Sequence, residues 1–69
     1  MKVTFEVYEF NSKGEVTGYK VFRGKEQIGT LEYRENNWIG AVIKKMSVQI
    51  NVGSSVEQVA NWVLTEYGR

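Results

Sequence analysis

The 69-residue chain has no histidine, no cysteine, no aspartate and no proline. Without imidazole, no side chain changes charge near neutral pH in its ordinary state. Without thiols there is no disulfide, no thiolate nucleophile and no soft metal ligand. Together these absences remove most of the residue types that carry enzyme chemistry, and they point to a non-enzymatic protein with no cofactor. Charge of one sign is also lacking. Nine Lys and Arg stand against eight Glu, for a net charge of +1, whereas a dedicated phosphate binder usually carries a strong basic excess. No apolar run approaches the roughly 20 residues of a membrane span. The start, Met1 to Glu6, offers no apolar stretch suited to a secretory signal. The expectation is a cytoplasmic protein that does not engage membranes.

A chain this short makes one domain, residues 1–69, whose core supplies only roughly 3–5 kcal/mol. Stability must come from packing, or from association with itself or a partner. Nine Trp, Tyr and Phe residues provide apolar area for either purpose.

Period-two alternation dominates the sequence. Residues 2–10 read as a strand with Val3, Phe5 and Val7 on one face and Lys2, Thr4, Glu6 and Tyr8 on the other. Asn11-Ser12-Lys13-Gly14 is a polar loop, and a second strand runs from about Val16 to Arg23. Gly24-Lys25 reads as a two-residue hairpin turn, which would set Val21 opposite Ile28, Tyr19 opposite Thr30 and Phe22 opposite Gln27. In the third strand, Glu26 to Arg34, Ile28 and Leu31 have opposite parity, and Gly29 between them can host a bulge that corrects it. After the Glu35-Asn36-Asn37 turn a fourth strand begins at Trp38. Met46, Val48, Ile50 and Val52 alternate with polar residues as a half-buried strand, and Lys44-Lys45 is either the turn that makes it a fifth strand, the preferred reading, or a bulge in one long fourth strand.

The end of the chain reads as a helix. Gly53 breaks the last strand, Ser54 and Glu57 have the spacing of a capping box, and Val56, Val59, Ala60, Val63 and Tyr67 recur at helical spacing up to Gly68. The helix covers about 13 residues, roughly 20 Å. The fold class is therefore α+β: an antiparallel β-meander of four to five strands with one C-terminal α-helix packed on one face. Val3, Phe5, Val7, Val21, Ile28 and the helix stripe are expected to share the core.

One helix covers one face of such a sheet. The opposite face of the first two strands would carry Tyr8, Phe10, Lys20 and Phe22, three aromatics beside a lysine. Either the sheet curls and buries these rings in a small second cluster, or the face is a protein-binding surface, with Tyr8, Phe10 and Phe22 as anchors and Lys20 and Arg23 as flanking contacts, acting by occlusion of a partner surface. An inhibitor or adaptor of a bacteriophage or mobile element fits the size and style of the chain. A homodimer through the same face would relieve the shortage of core.

No chemistry competes with this reading. Glu6 and Glu9 have opposite strand parity, Ser54-Ser55 has no histidine base, and Gly24-Lys25 and Gly29-Thr30 lack the spacing of a phosphate loop. The alternative is nucleic acid, held through Lys44-Lys45 or by bases stacked on the aromatic face. Trp38-Ile39-Gly40-Ala41 in a strand and Ser55-Val56-Glu57-Gln58-Val59-Ala60 opening the helix make the order of elements loosely similar to the arm-binding domains of phage integrases and to plant ethylene-response-factor domains. The resemblance covers about a quarter of the chain and implies DNA reading by the sheet. The chain departs from it in lacking a row of Arg and Lys along that face; Lys20, Arg23, Lys25, Lys44 and Lys45 are mixed with Glu26 and Glu32.

Overall fold

Each polar break in the sequence becomes a reversal of the chain. The computed structural model describes residues 2–44 and 47–68. It contains β1 (Val3–Phe10), β2 (Val16–Arg23), β3 (Glu26–Arg34), β4 (Asn37–Lys44), β5 (Ser47–Gly53) and α1 (Val56–Tyr67). The strands form one antiparallel sheet in the order β1-β2-β3-β4-β5, and α1 packs against β3, β4 and β5. The α+β meander with its C-terminal helix is thus present in its five-strand form. Lys44 ends β4, and its expected turn partner Lys45 lies outside the described residues.

Local chemistry accounts for the reversals. In the β1–β2 connection the Asn11 side-chain oxygen accepts from the backbone N–H of Lys13 and of Glu15, both at 2.9 Å, an arrangement for which asparagine is suited. Gly24 takes a φ of +64° in its two-residue turn, and Glu35 and Asn36 take +51° and +67° between the paired residues Arg34 and Asn37. Positive φ at both central residues matches the right-handed twist of the strands it joins.

The bulge expected near Gly29 is present, and it shifts the register of the β2–β3 hairpin. Phe22 pairs with Gln27 as expected, but Val21 pairs with Gly29 and Tyr19 with Leu31. Ile28 is the extra residue, so Ile28 and Leu31 both reach the core, each 1% exposed. The sequence expectation of Val21 opposite Ile28 and Tyr19 opposite Thr30 ran the ladder straight through the bulge and is corrected here. Glycine is required beside it, since a Cβ at Gly29 would lie 2.2 Å from the Ala41 carbonyl oxygen.

The helix starts one residue later than its first capping signal. Ser55 is the N-cap, its hydroxyl accepting from the Gln58 N–H at 3.2 Å, while Gln58 Oε1 accepts from the Ser54 N–H at 3.1 Å. Gln58 therefore bridges both serines, its N–H donating to the Ser55 hydroxyl and its side-chain oxygen accepting from the Ser54 N–H, and the expected Ser54–Glu57 box is replaced by this arrangement one residue on. At the other end the last turn has no basic residue of its own. Lys44 Nζ supplies the cation by donating to the Glu66 carbonyl oxygen at 3.4 Å.

The core consists of Val21, Ile28, Leu31, Val42, Val59 and Val63, with Val3, Tyr19, Trp38, Val56, Ala60, Trp62, Leu64 and Tyr67 packed around it. Gly40 lets helix and sheet approach: a Cβ there would lie 3.2 Å from Val59 Cβ and from Val63 Cγ2. Two expected core members are absent. Phe5 and Val7 lie on the helix side of the sheet but are 43% and 40% exposed, because α1 sits over β3–β5 and does not extend to β1. A helix about 10 Å across covers only part of a sheet whose first and last strands stand roughly 19 Å apart at 4.8 Å per strand.

Candidate functional site

The face turned away from α1 is defined by parity from the helix-facing residues Val21, Leu31, Gly40 and Val42. It has two halves of different character.

Over β1–β3 the face is polar and internally paired. Tyr8 donates its hydroxyl hydrogen to Glu32, and Lys20 Nζ sits 5.7 Å from the centre of the Tyr8 ring. Arg34 grips both oxygens of Glu9, at 2.8 and 3.0 Å, and approaches Glu32 at 3.6 Å. Thr17 adds a hydrogen bond to Glu9 at 2.9 Å. Partial desolvation, and then the hydrogen bond to the Glu32 carboxylate, push the Tyr8 hydroxyl up to about 12. The Arg34 and Thr17 hydrogen bonds hold the Glu9 carboxyl below its ordinary range, and Glu9 in turn raises Arg34. This brace ties β1 to β2 and to β3 across the sheet.

Over β4–β5 the face is aliphatic and unpaired. Ile43 stands opposite Val48, Ala41 opposite Ile50 and Ile39 opposite Val52. Ile43, Val48, Ile50 and Val52 are 42%, 60%, 65% and 56% exposed. Cross-strand pairs of this kind normally stabilise a sheet by burial against a covering layer, and among the described residues no layer lies there. Sequence reasoning recognised the Val48, Ile50, Val52 alternation but did not single these residues out as a surface. Their signal was the same period-two pattern that marks a half-buried strand; which side is buried is set by register with β4. Gly53 pairs with Trp38, Asn51 with Gly40 and Gln49 with Val42, so the polar row of β5 lies on the helix side and the apolar row faces away.

The residues singled out from sequence are only partly brought together. Tyr8, Lys20 and Phe22 do share the uncovered face, with Lys20 opposite Glu6 and Phe22 opposite Thr4. Phe10 is 61% exposed but lies past two register shifts, opposite Val16, six residues and roughly 20 Å along β1 from the Phe22 row. Arg23 does not flank this group. It has the parity of Val21, and its guanidinium sits 5.8 Å from the centre of the Tyr67 ring of α1, on the helix side. Lys44 likewise faces the helix, at the C-terminus of α1, and Lys45 lies outside the described residues.

A smaller apolar groove of about 250 Å³ opens on the helix side, between Phe5 of β1 and Val56 and Ala60 of α1, floored by Tyr19 and Leu31. Among the described residues no group of three or more metal-ligating side chains is gathered, and no helix is long and apolar enough to cross a membrane. Compared with protein-family models, curated proteins and solved structures, the chain matches none.

Proposed function

We propose that the protein is a small non-enzymatic protein-binding module that occludes a surface of its partner, using the sheet face that α1 leaves uncovered. The observation that carries this reading is the aliphatic row of Ile43, Val48, Ile50 and Val52, all exposed on adjacent strands. Contiguous apolar exposure of this kind marks interaction surfaces. The neighbouring Tyr8–Glu32–Arg34 brace gives the patch a polar flank, as in an interface with an apolar centre and a wet rim. Tyr8, Phe22 and Lys20 extend the contact, and Phe10 stands at its far end. An inhibitor or adaptor role, of the kind bacteriophages and mobile elements carry, suits a rigid sheet that acts by covering a surface.

Nucleic-acid binding is the weaker reading, because several of the cations it would use are engaged. Arg34 is paired with Glu9, Arg23 lies against Tyr67, and Lys44 caps α1.

A tagged pull-down from lysate of the source organism, with and without nuclease, tests the proposal. The expected result is a stoichiometric protein band that survives nuclease, is lost with folded Ile50→Lys and is weakened with folded Phe22→Ala. Recovery of nucleic acid, with protein bands lost after nuclease and binding that falls steeply with salt, would overturn it. So would full capture by Ile50→Lys.

A further inference from the structure

β5 is an edge strand. β4 lies on one side of it, and on the other no strand pairs with it among the described residues. Natural sheet edges are blunted by charge, by proline or by a bulge. β5 has none of these. Its register with β4 runs without a break from Trp38 and Gly53 to Lys44 and Ser47. No charged residue falls between Lys45 and Glu57, and the chain has no proline. The opposite edge, β1, carries Glu6 and Glu9 and two register shifts. The sequence of β5 is also nearly the same read in either direction about Ile50: Val48-Gln49-Ile50-Asn51-Val52, with small residues Ser47 and Gly53 at the ends.

From the open edge and its near-palindromic sequence we infer that β5 pairs antiparallel with β5 of a second copy, with a two-fold axis at Ile50. In that register Ile50 meets its own counterpart, Val48 meets Val52 and Gln49 meets Asn51. Apolar side chains face apolar ones, amides face amides, and no like charges oppose. A slip of one residue would set the apolar row of one copy against the amide row of the other. Directly opposed residues of an antiparallel pair project to the same face. The two aliphatic rows therefore join on the helix-free side, and the two α1 helices lie together on the other. The dimer extends the proposed partner-binding face and does not cover it. What the joined face binds rests on the reading above; the pairing itself rests on the edge. The strand is short, roughly 23 Å at 3.3 Å per residue, and makes a smaller contact than a standard interface of about 1,600 Å². The dimer is accordingly expected to dissociate on dilution.

Sedimentation equilibrium on the full chain over a concentration series tests this. The wild type is expected to show a reversible monomer–dimer equilibrium. Gln49→Glu with Asn51→Glu sets like charges across the axis and should weaken the dimer at least tenfold. Gln49→Lys with Asn51→Glu sets opposite charges there and should restore it. Both pairs of changes leave Val48, Ile50 and Val52 in place, so partner capture by the monomeric variant tests the face separately from the dimer. A second measurement is independent of those variants. The chain has no cysteine, so a single thiol at the axis reports register: Ile50→Cys should form an intermolecular disulfide under mild oxidation, and Val48→Cys, whose opposite residue is Val52, should not. A wild type that stays monomeric at millimolar concentration would overturn the inference. Equal dimerisation of the like-charge and opposite-charge variants, or equal cross-linking at both cysteine positions, would overturn it as well.

Discussion

The two ends of the sheet are held in place by different physics. β1 is a charged, bulged strand that α1 does not reach, and it is tied inward by the Glu9–Arg34 pair and the Tyr8–Glu32 hydrogen bond. β5 is a regular, uncharged strand partly under α1, with Gly53 beneath the first turn of the helix: a Cβ there would lie 3.0 Å from Val59 Cγ1. β1 therefore has side chains that protect its edge and little apolar burial. β5 has apolar anchorage at one end and an unprotected edge and face. In a five-stranded sheet with one helix, coverage is limited, so the two ends are stabilised by different means.

The largest expected effect separates the two ends by burial. Val63→Ala removes methyl groups from a fully buried site between α1 and the sheet and should cost about 2 kcal/mol in urea denaturation. That is a large share of the stability a domain this small has. Phe5→Ala deletes a larger side chain from β1, yet at 43% exposure it should cost about 1 kcal/mol or less. Equal losses would show that β1 belongs to the core after all.

A smaller effect appears in alkali. The Tyr8 hydroxyl is raised from 10.0 to about 12, so the unfolded chain releases this proton first. The stabilisation is complete below pH 10 and is lost as pH rises towards 12. Tyr8→Phe should flatten the alkaline limb of the stability curve. Tyr67, raised by its hydrogen bond to Glu26, leaves a residual slope of the same sign. An unchanged limb would mean that the Tyr8–Glu32 bond does not hold β1.

The smallest effect lies in acid. Glu9 titrates below its ordinary value of 4.5 in the folded protein, through Arg34 and then Thr17. Its contribution is present above that value and is lost as pH falls through the folded one. Glu9→Gln should remove this acid sensitivity and speed amide exchange in β1 while leaving β5 unchanged. Faster exchange at both ends would show that the brace supports the whole sheet.

Much of the architecture was legible from short-range pattern. The strands around Val16–Arg23 and Glu26–Arg34, the turn at Gly24-Lys25 and the helix stripe of Val59 and Val63 follow from periodicity and turn chemistry, which act within a few residues. The parity conflict between Ile28 and Leu31 even announced the bulge. Its consequence for pairing, Val21 with Gly29, was harder to read, because moving the extra residue by one position changes every pair beyond it. The candidate site was legible only in part. Aromatic residues drew attention to Tyr8, Phe10 and Phe22, but two register shifts separate Phe10 from the others. The more exposed apolar surface is made of ordinary valines and isoleucines.

The sequence by itself determined that this is a meander of four or five strands with a terminal helix, since alternation, capping and turn residues are local properties of the chain. It also determined, through what it lacks, that the β5 edge carries neither charge nor proline. Only the tertiary structure decided where the single helix sits. That position leaves Phe5 and Val7 half-exposed, carries Arg23 and Lys44 to the helix side, and turns Val48, Ile50 and Val52 away from the core. The reason is geometric: alternation says that a strand has two unlike faces, but which face is covered depends on its register with neighbours and on a helix too narrow to span the whole sheet.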